Sequence, residues 1–147
     1  MNTQRVSLVT LAVANVPRSL AFYEAWGWTP AFVDGEDFVV FQCGGIALAL
    51  FPHRALAEDA GFPLGTPGTT TVAVSQNYPN EAEVDAAFSA AIAAGAREVK
   101  APRSATWGGY SGYMADPDGH LWEIACNPGW PVADDGSINV RAAGEGV

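Results

Sequence analysis

Apolar positions recur along this chain with two alternating periods, and the alternation happens twice. Residues 6–14 place Val9, Leu11 and Val13 on every second position with β-branched neighbours, which predicts a strand buried on at least one face. The period then lengthens: Val16, Leu20, Tyr23 and Trp26 lie three or four apart, so a helix follows. Asn15 is a good N-cap, Pro17 sits in the first turn where its missing N–H costs nothing, and Gly27 ends the helix. Three short strands come next, at residues 28–33, 38–42 and 46–51. The turns Asp34-Gly35-Glu36 and Cys43-Gly44-Gly45 join them as hairpins. This half is β-α-β-β-β.

Residues 52–68 break the pattern. Three prolines (Pro52, Pro63, Pro67) and three glycines (Gly61, Gly65, Gly68) mark a connector, with one helical turn at 55–60. The plan then restarts. Residues 69–75 form a strand, and Asn80 with Glu83 three positions on makes a capping box. Val84, Phe88, Ala91 and Ile92 give the buried stripe of a second helix, Gly95 stops it, and residues 98–100 form a short strand. A closing hairpin spans 107–128. Its turn is Asp116-Pro117-Asp118-Gly119, where proline pre-sets φ, the aspartates bond back to the backbone and glycine accepts φ > 0. The second half is again β-α-β-β-β.

Duplication of one unit at low residue identity predicts an α+β fold: residues 1–128 form one domain of two βαβββ modules (6–51 and 69–128), followed by a tail at 129–147 to which no chemistry is assigned. Neither module can bury its sheet alone. Each helix covers one face, and the other face is expected to meet the partner module's sheet across a trough.

Composition narrows the function. Of 147 residues 49% are hydrophobic, enough for a sizeable core, and a net charge of -9 opposes nucleic acid and anionic bilayers while favouring a cationic ligand. Cys43 and Cys126 lie in strand-like runs without basic neighbours; they read as structural free thiols in a cytoplasmic protein, a disulfide between them being the alternative. No secretory leader pattern opens the chain and no apolar run is long enough to span a bilayer.

The closing hairpin carries the candidate chemistry. Alternation puts Leu121, Glu123 and Ala125 on one face of its last strand and Trp122, Ile124 and Cys126 on the other. Glu123 therefore points into water or into a cavity. In a cavity walled by leucines its pKa would rise, making it a candidate general acid or base; otherwise it is a relict bonded to Tyr or Thr hydroxyls. Trp107, Tyr110 and Tyr113 are candidate aromatic lids, with plain core aromatics as the alternative. The segment 107–112, with three glycines, is either a mobile lid or a bulged strand, and Arg103 ahead of it faces an acid in the cup or solvent. His53 and His120 read as turn histidines, with a metal site built from them and acidic side chains as the alternative.

The repeated β-α-β-β-β plan, the helix opening Asn15-Val16-Pro17-Arg18-Ser19-Leu20-Ala21-Phe22-Tyr23 and the run Asp116-Pro117-Asp118-Gly119-His120-Leu121-Trp122-Glu123 together resemble the vicinal oxygen chelate superfamily, the glyoxalase, bleomycin-resistance and extradiol dioxygenase group. The resemblance covers about residues 6–128. It implies paired modules curled into a cup, often around a divalent metal held by one residue from the first and one from the last strand of each module. Carried over position by position, these fall at Leu8, Leu48, Thr71 (Thr70 if the alignment slips by one) and Glu123. Leucine ligates no metal, so the resemblance implies a metal-free cup, lined by Leu8, Leu48, Thr71, Trp107, Tyr110, Tyr113 and Glu123, for a small aromatic or amphipathic molecule. Two alternatives stand beside this binding protein: a glyoxalase-like or dioxygenase-like metalloenzyme whose ligands lie elsewhere, and a structural or interaction protein with a vestigial pocket. The resemblance also implies a homodimer, with each cup made within one chain or between two.

Overall fold

Asn15 caps the first helix as its residue type dictates: its side chain accepts the Arg18 amide at 2.9 Å. The computed structural model describes residues 1–140, and the end of the tail, 141–147, lies outside the described residues. Strand β1 (Leu8–Val13) leads into helix α1 (Val16–Ala25), then β2 (Phe32–Asp34), β3 (Phe38–Cys43) and β4 (Ile46–Pro52). Helix α2 (His53–Ala60) opens the connector. The second module is β5 (Ala73–Asn77), α3 (Glu81–Ala94), β6 (Arg97–Ser104), β7 (Tyr110–Ala115) and β8 (Leu121–Cys126). Two four-stranded mixed sheets result, ordered β1-β4-β3-β2 and β5-β8-β7-β6, each with one parallel pair and two antiparallel pairs. The repeated plan is thus an α+β fold of two βαβββ modules.

Several elements differ from the sequence reading, two of the strands for a visible local reason. The strand expected from Trp28 begins only at Phe32, because Trp28 turns inward: its amide donates to the Tyr23 carbonyl (2.9 Å) and its ring stacks on Trp26 at 5.6 Å. The strand expected from Thr69 begins at Ala73. Thr69 Oγ1 donates to the Thr66 carbonyl (2.6 Å), and Thr70 Oγ1 accepts the Val72 amide (3.1 Å), so the hydroxyls take backbone groups the ladder would need. β6 is eight residues long rather than three.

The interior is shared. Phe22, Tyr23, Trp26, Trp28, Phe41 and Trp122 form a continuous aromatic cluster, in which Tyr23 on α1 lies 6.1 Å from Trp122 on β8. The Trp26 indole N–H donates to the Ala87 carbonyl of α3 (3.1 Å), so the helices meet each other. This replaces the expected contact of sheet on sheet. Each sheet gives one face to the helices and keeps the other half-open, with Leu8 43% and Phe32 54% exposed. The described part of the tail makes a turn at Ala133–Ser137 that passes beside Gly44, where a Cβ would come within 3.4 Å of the Asp135 carbonyl. Both thiols are free, and burial pushes each up.

Candidate functional site

The closing turn fastens the two modules together. Asp116 accepts the amides of Asp118 and His120 (both 2.9 Å) with one oxygen and the Tyr23 hydroxyl (2.6 Å) with the other. Asp118 accepts the Ala14 amide (2.8 Å), the Arg18 guanidinium (2.9 Å) and the Ser19 hydroxyl (2.6 Å). The His120 ring donates from Nε2 to the Ala12 carbonyl at 2.7 Å, and the His53 ring donates to the Gly65 carbonyl at 2.9 Å. Both histidines thus secure backbone. Gly119 has φ +84°, and a Cβ there would sit 2.7 Å from the Gly68 carbonyl, so the turn also closes onto the connector.

Past the turn, β8 carries Glu123 onto the open face of the second sheet. Its Oε1 accepts the Ser75 hydroxyl (3.0 Å) and its Oε2 the Tyr113 hydroxyl (2.6 Å). Both partners sit directly across the ladder, Ser75 on β5 and Tyr113 on β7. The surroundings are hydroxyls, where the sequence suggested leucines. The bond to Glu123 pushes the Tyr113 phenol above its ordinary range, so that phenol remains a donor at neutral pH.

The other expected lining residues divide between the faces. Leu8 lies on the open face of the first sheet, across from Ala47. Leu48 does not join it: it pairs with Phe41 on the helix-covered face and is 3% exposed, so Ala47 and Ala49 stand where it was expected. Thr71 is exposed two residues ahead of β5, and Ser75 supplies the hydroxyl that reaches Glu123. Tyr110 belongs to the helix side, opposite Cys126, and its hydroxyl donates to Asp85 of α3 at 2.7 Å, which pushes the phenol up to about 12.

Trp107 lies in the β6–β7 turn, closed by the Ala105 amide donating to the Gly109 carbonyl (2.8 Å). Residues 110–112 are regular strand, and the ladder irregularities fall in β6. The 51%-exposed indole folds across Gly109, where any Cβ would run into the ring. Gly109→Ala is therefore expected to expel the indole from this position, read as a red shift and loss of anisotropy in tryptophan fluorescence relative to a Trp107→Phe control. An unchanged Trp107 signal would refute the packing described.

An aromatic row escaped the sequence reading. Phe38, Val40 and Gln42 share the open face of the first sheet with Ala47, Ala49 and Phe51. Phe32, Phe38 and Phe51 run edge to face along it at 6.2 and 5.7 Å. The alternation of Phe38-Val39-Val40-Phe41 holds the signal: Phe41 is core, so Phe38 must face outward.

The metal site that the resemblance implies does not fit these side chains. Leu8, Ala47 or Ala49, Thr71 or Ser75, and Glu123 offer one carboxylate and neutral hydroxyls. A divalent ion needs several anionic or imidazole donors to replace its water shell. No group of three or more His, Cys, Asp or Glu residues capable of holding a metal occurs among the described residues.

Comparison with known proteins places the chain. The family model for the glyoxalase/bleomycin resistance protein/dioxygenase superfamily matches residues 5–124. The crystal structure of a glyoxalase-related enzyme from Fulvimarina pelagi is 36% identical, covers 92% of this chain and 97% of its own, and superposes with a TM-score of 0.85. A lactoylglutathione lyase from Agrobacterium tumefaciens shares the fold at 22% identity (TM-score 0.68, covering 86% of this chain and 96% of its own). An uncharacterized protein of Mycolicibacterium smegmatis is 31% identical over 102 residues, 69% of this chain and 77% of that protein. The chain belongs to the glyoxalase/bleomycin resistance protein/dioxygenase superfamily.

Proposed function

We propose that this chain is a binding protein of its superfamily. It takes up a small aromatic or amphipathic molecule in a metal-free cup that two copies complete by pairing in the cytoplasm. The observation that carries the reading is the partly exposed row Phe32, Phe38 and Phe51 with Leu8 on one face of the first sheet. Apolar walls with a few placed polar groups are what small-molecule pockets use, and Glu123, Ser75 and Tyr113 supply such groups on the second sheet. Apolar faces left open within one chain favour a cup made between two chains over a cup made within one. Two free thiols suit a reducing compartment. The enzymatic alternative draws on the glyoxalase-related relative; what weighs against it is that only Glu123 supplies a carboxylate at the four positions the resemblance assigns to metal ligands.

The purified protein is expected to migrate at twice the mass of one chain. In a thermal-shift screen of metabolites and antibiotics, at least one compound is expected to raise Tm with dose, and Phe38→Ala to abolish that shift. A stoichiometric divalent ion that disappears in Glu123→Ala would overturn the metal-free cup, and a silent screen would overturn binding altogether.

A further inference from the structure

The chain is strongly acidic, yet three of its seven basic side chains (Arg97, Lys100 and Arg103) fall on the single strand β6. Strict alternation would send them to different faces, since Lys100 and its two neighbours in this set are three apart. The structure prevents this with two interruptions of the β6–β7 ladder, between Glu98 and Lys100 and between Lys100 and Arg103. Each interruption resets the register, so that Arg97 pairs with Ala115, Lys100 with Tyr113 and Arg103 with Ser111. Those three partners share the face that bears Glu123, and all three cations consequently stand on it.

Lys100 and Arg103 converge with Ser104, Thr106, Ser111 and Trp107 on a cleft of about 500 Å3. Neither cation has a carboxylate within ion-pair distance among the described residues, whose ion pairs are Arg18–Asp118 and Arg54–Glu58. The nearby acid, Glu123, already has both oxygens engaged by hydroxyls. The cleft therefore offers two uncompensated cations, hydroxyl donors and an indole plane held in place by Gly109. Bidentate guanidinium contacts and an ammonium favour a compact anion, and the indole favours a flat apolar body.

We infer that this cleft is an anion-binding site for a small aromatic acid: its carboxylate lies between Lys100 and Arg103 and its ring against Trp107. The inference rests on the small-molecule reading above and reverses the preference that net charge alone suggested. The ligand's charge is set by the local cations and the overall charge of -9 opposes it only through screened, long-range repulsion.

The test uses three probes of one shape, naphthalene-2-carboxylate, its carboxamide and naphthylmethylammonium, titrated calorimetrically into the full chain. The carboxylate is expected to bind at least about tenfold more tightly than the carboxamide, the advantage shrinking as salt is raised. In Arg103→Gln and in Lys100→Gln/Arg103→Gln the advantage is expected to fall to within about twofold, with Tm unchanged and carboxamide binding retained. Equal affinity for carboxylate and carboxamide, a preference for the ammonium probe, or an advantage that survives in the double variant overturns the subsite. So does a double variant that aggregates or changes oligomeric state while still discriminating, since β6 is a sheet edge and its cations would then be guarding it. A preference for the ammonium leaves the small-molecule reading standing; silence from all three probes and from the metabolite screen sinks both.

Discussion

Asp118→Ala is expected to lower the free energy of unfolding by about 3 kcal/mol, seen as a fall in Tm of roughly 10 °C. The carboxylate has three donors, and one of them has nowhere else to turn: Ser19 is fully buried, whereas the Ala14 amide, between β1 and the cap of α1, is exposed. Removing the acceptor strands the serine hydroxyl and costs the amide a charge-assisted bond. The third donor, Arg18, is half-exposed and returns to water, so Arg18→Ala should cost far less. If the two variants lose equal stability, the surface ion pair rather than the bonds to the buried Ser19 hydroxyl and the Ala14 amide is what Asp118 contributes.

Tyr23→Phe should come next, at about 2 kcal/mol near neutral pH. The phenol donates to Asp116 and accepts the Trp122 indole N–H at 3.2 Å, in the interior where neither partner has water to replace it. This deficit should depend on pH. Burial raises the Asp116 carboxyl above its ordinary value, while the bond from Tyr23 pulls it down. A folded value above the unfolded one means that the folded protein holds that proton more tightly. The stability so contributed is complete below the ordinary value of 3.8 and is lost as pH rises through the folded value. Deleting the phenol raises the folded value further, so the variant's deficit should narrow as pH falls from 7 towards 4. Urea midpoints at the two pH values measure it, and a deficit that stays constant would contradict this account of Asp116.

The parts of this architecture that local chemistry dictates were open to reading from the sequence. Asn15 and Asn80 both cap helices through side chains that accept an amide three residues on. The Asp116–Gly119 turn and the outward placement of Glu123 also followed from residue type and alternation. Leu48 was misplaced because Ala47-Leu48-Ala49-Leu50-Phe51 is apolar at every position. With no polar residue to mark the outer face, nothing local sets its register. Thr71 reads as a strand residue because threonine has high β propensity, whereas the hydroxyls of its neighbours Thr69 and Thr70 bond to backbone. Tyr110 and Tyr113 looked alike as aromatics; their odd spacing, which puts them on opposite faces, was the unused signal. The interruptions in β6 decide where the cations point; Pro102, between Lys100 and Arg103, marks the second, because a proline within a strand belongs to an edge or a bulge, and nothing marks the first.

The turn at 116–120 also bears on how the chain comes off the ribosome. Its partners Ala12, Ala14, Ser19 and Tyr23 precede it by about a hundred residues. The first module must therefore emerge complete, with its helix cap, a serine and a tyrosine awaiting acceptors that have not yet been translated. Local strands and helix can assemble early, but the long loop that joins them to their acceptors closes only once residues 116–120 have emerged. The second half thus completes the packing of the first rather than merely adding a copy.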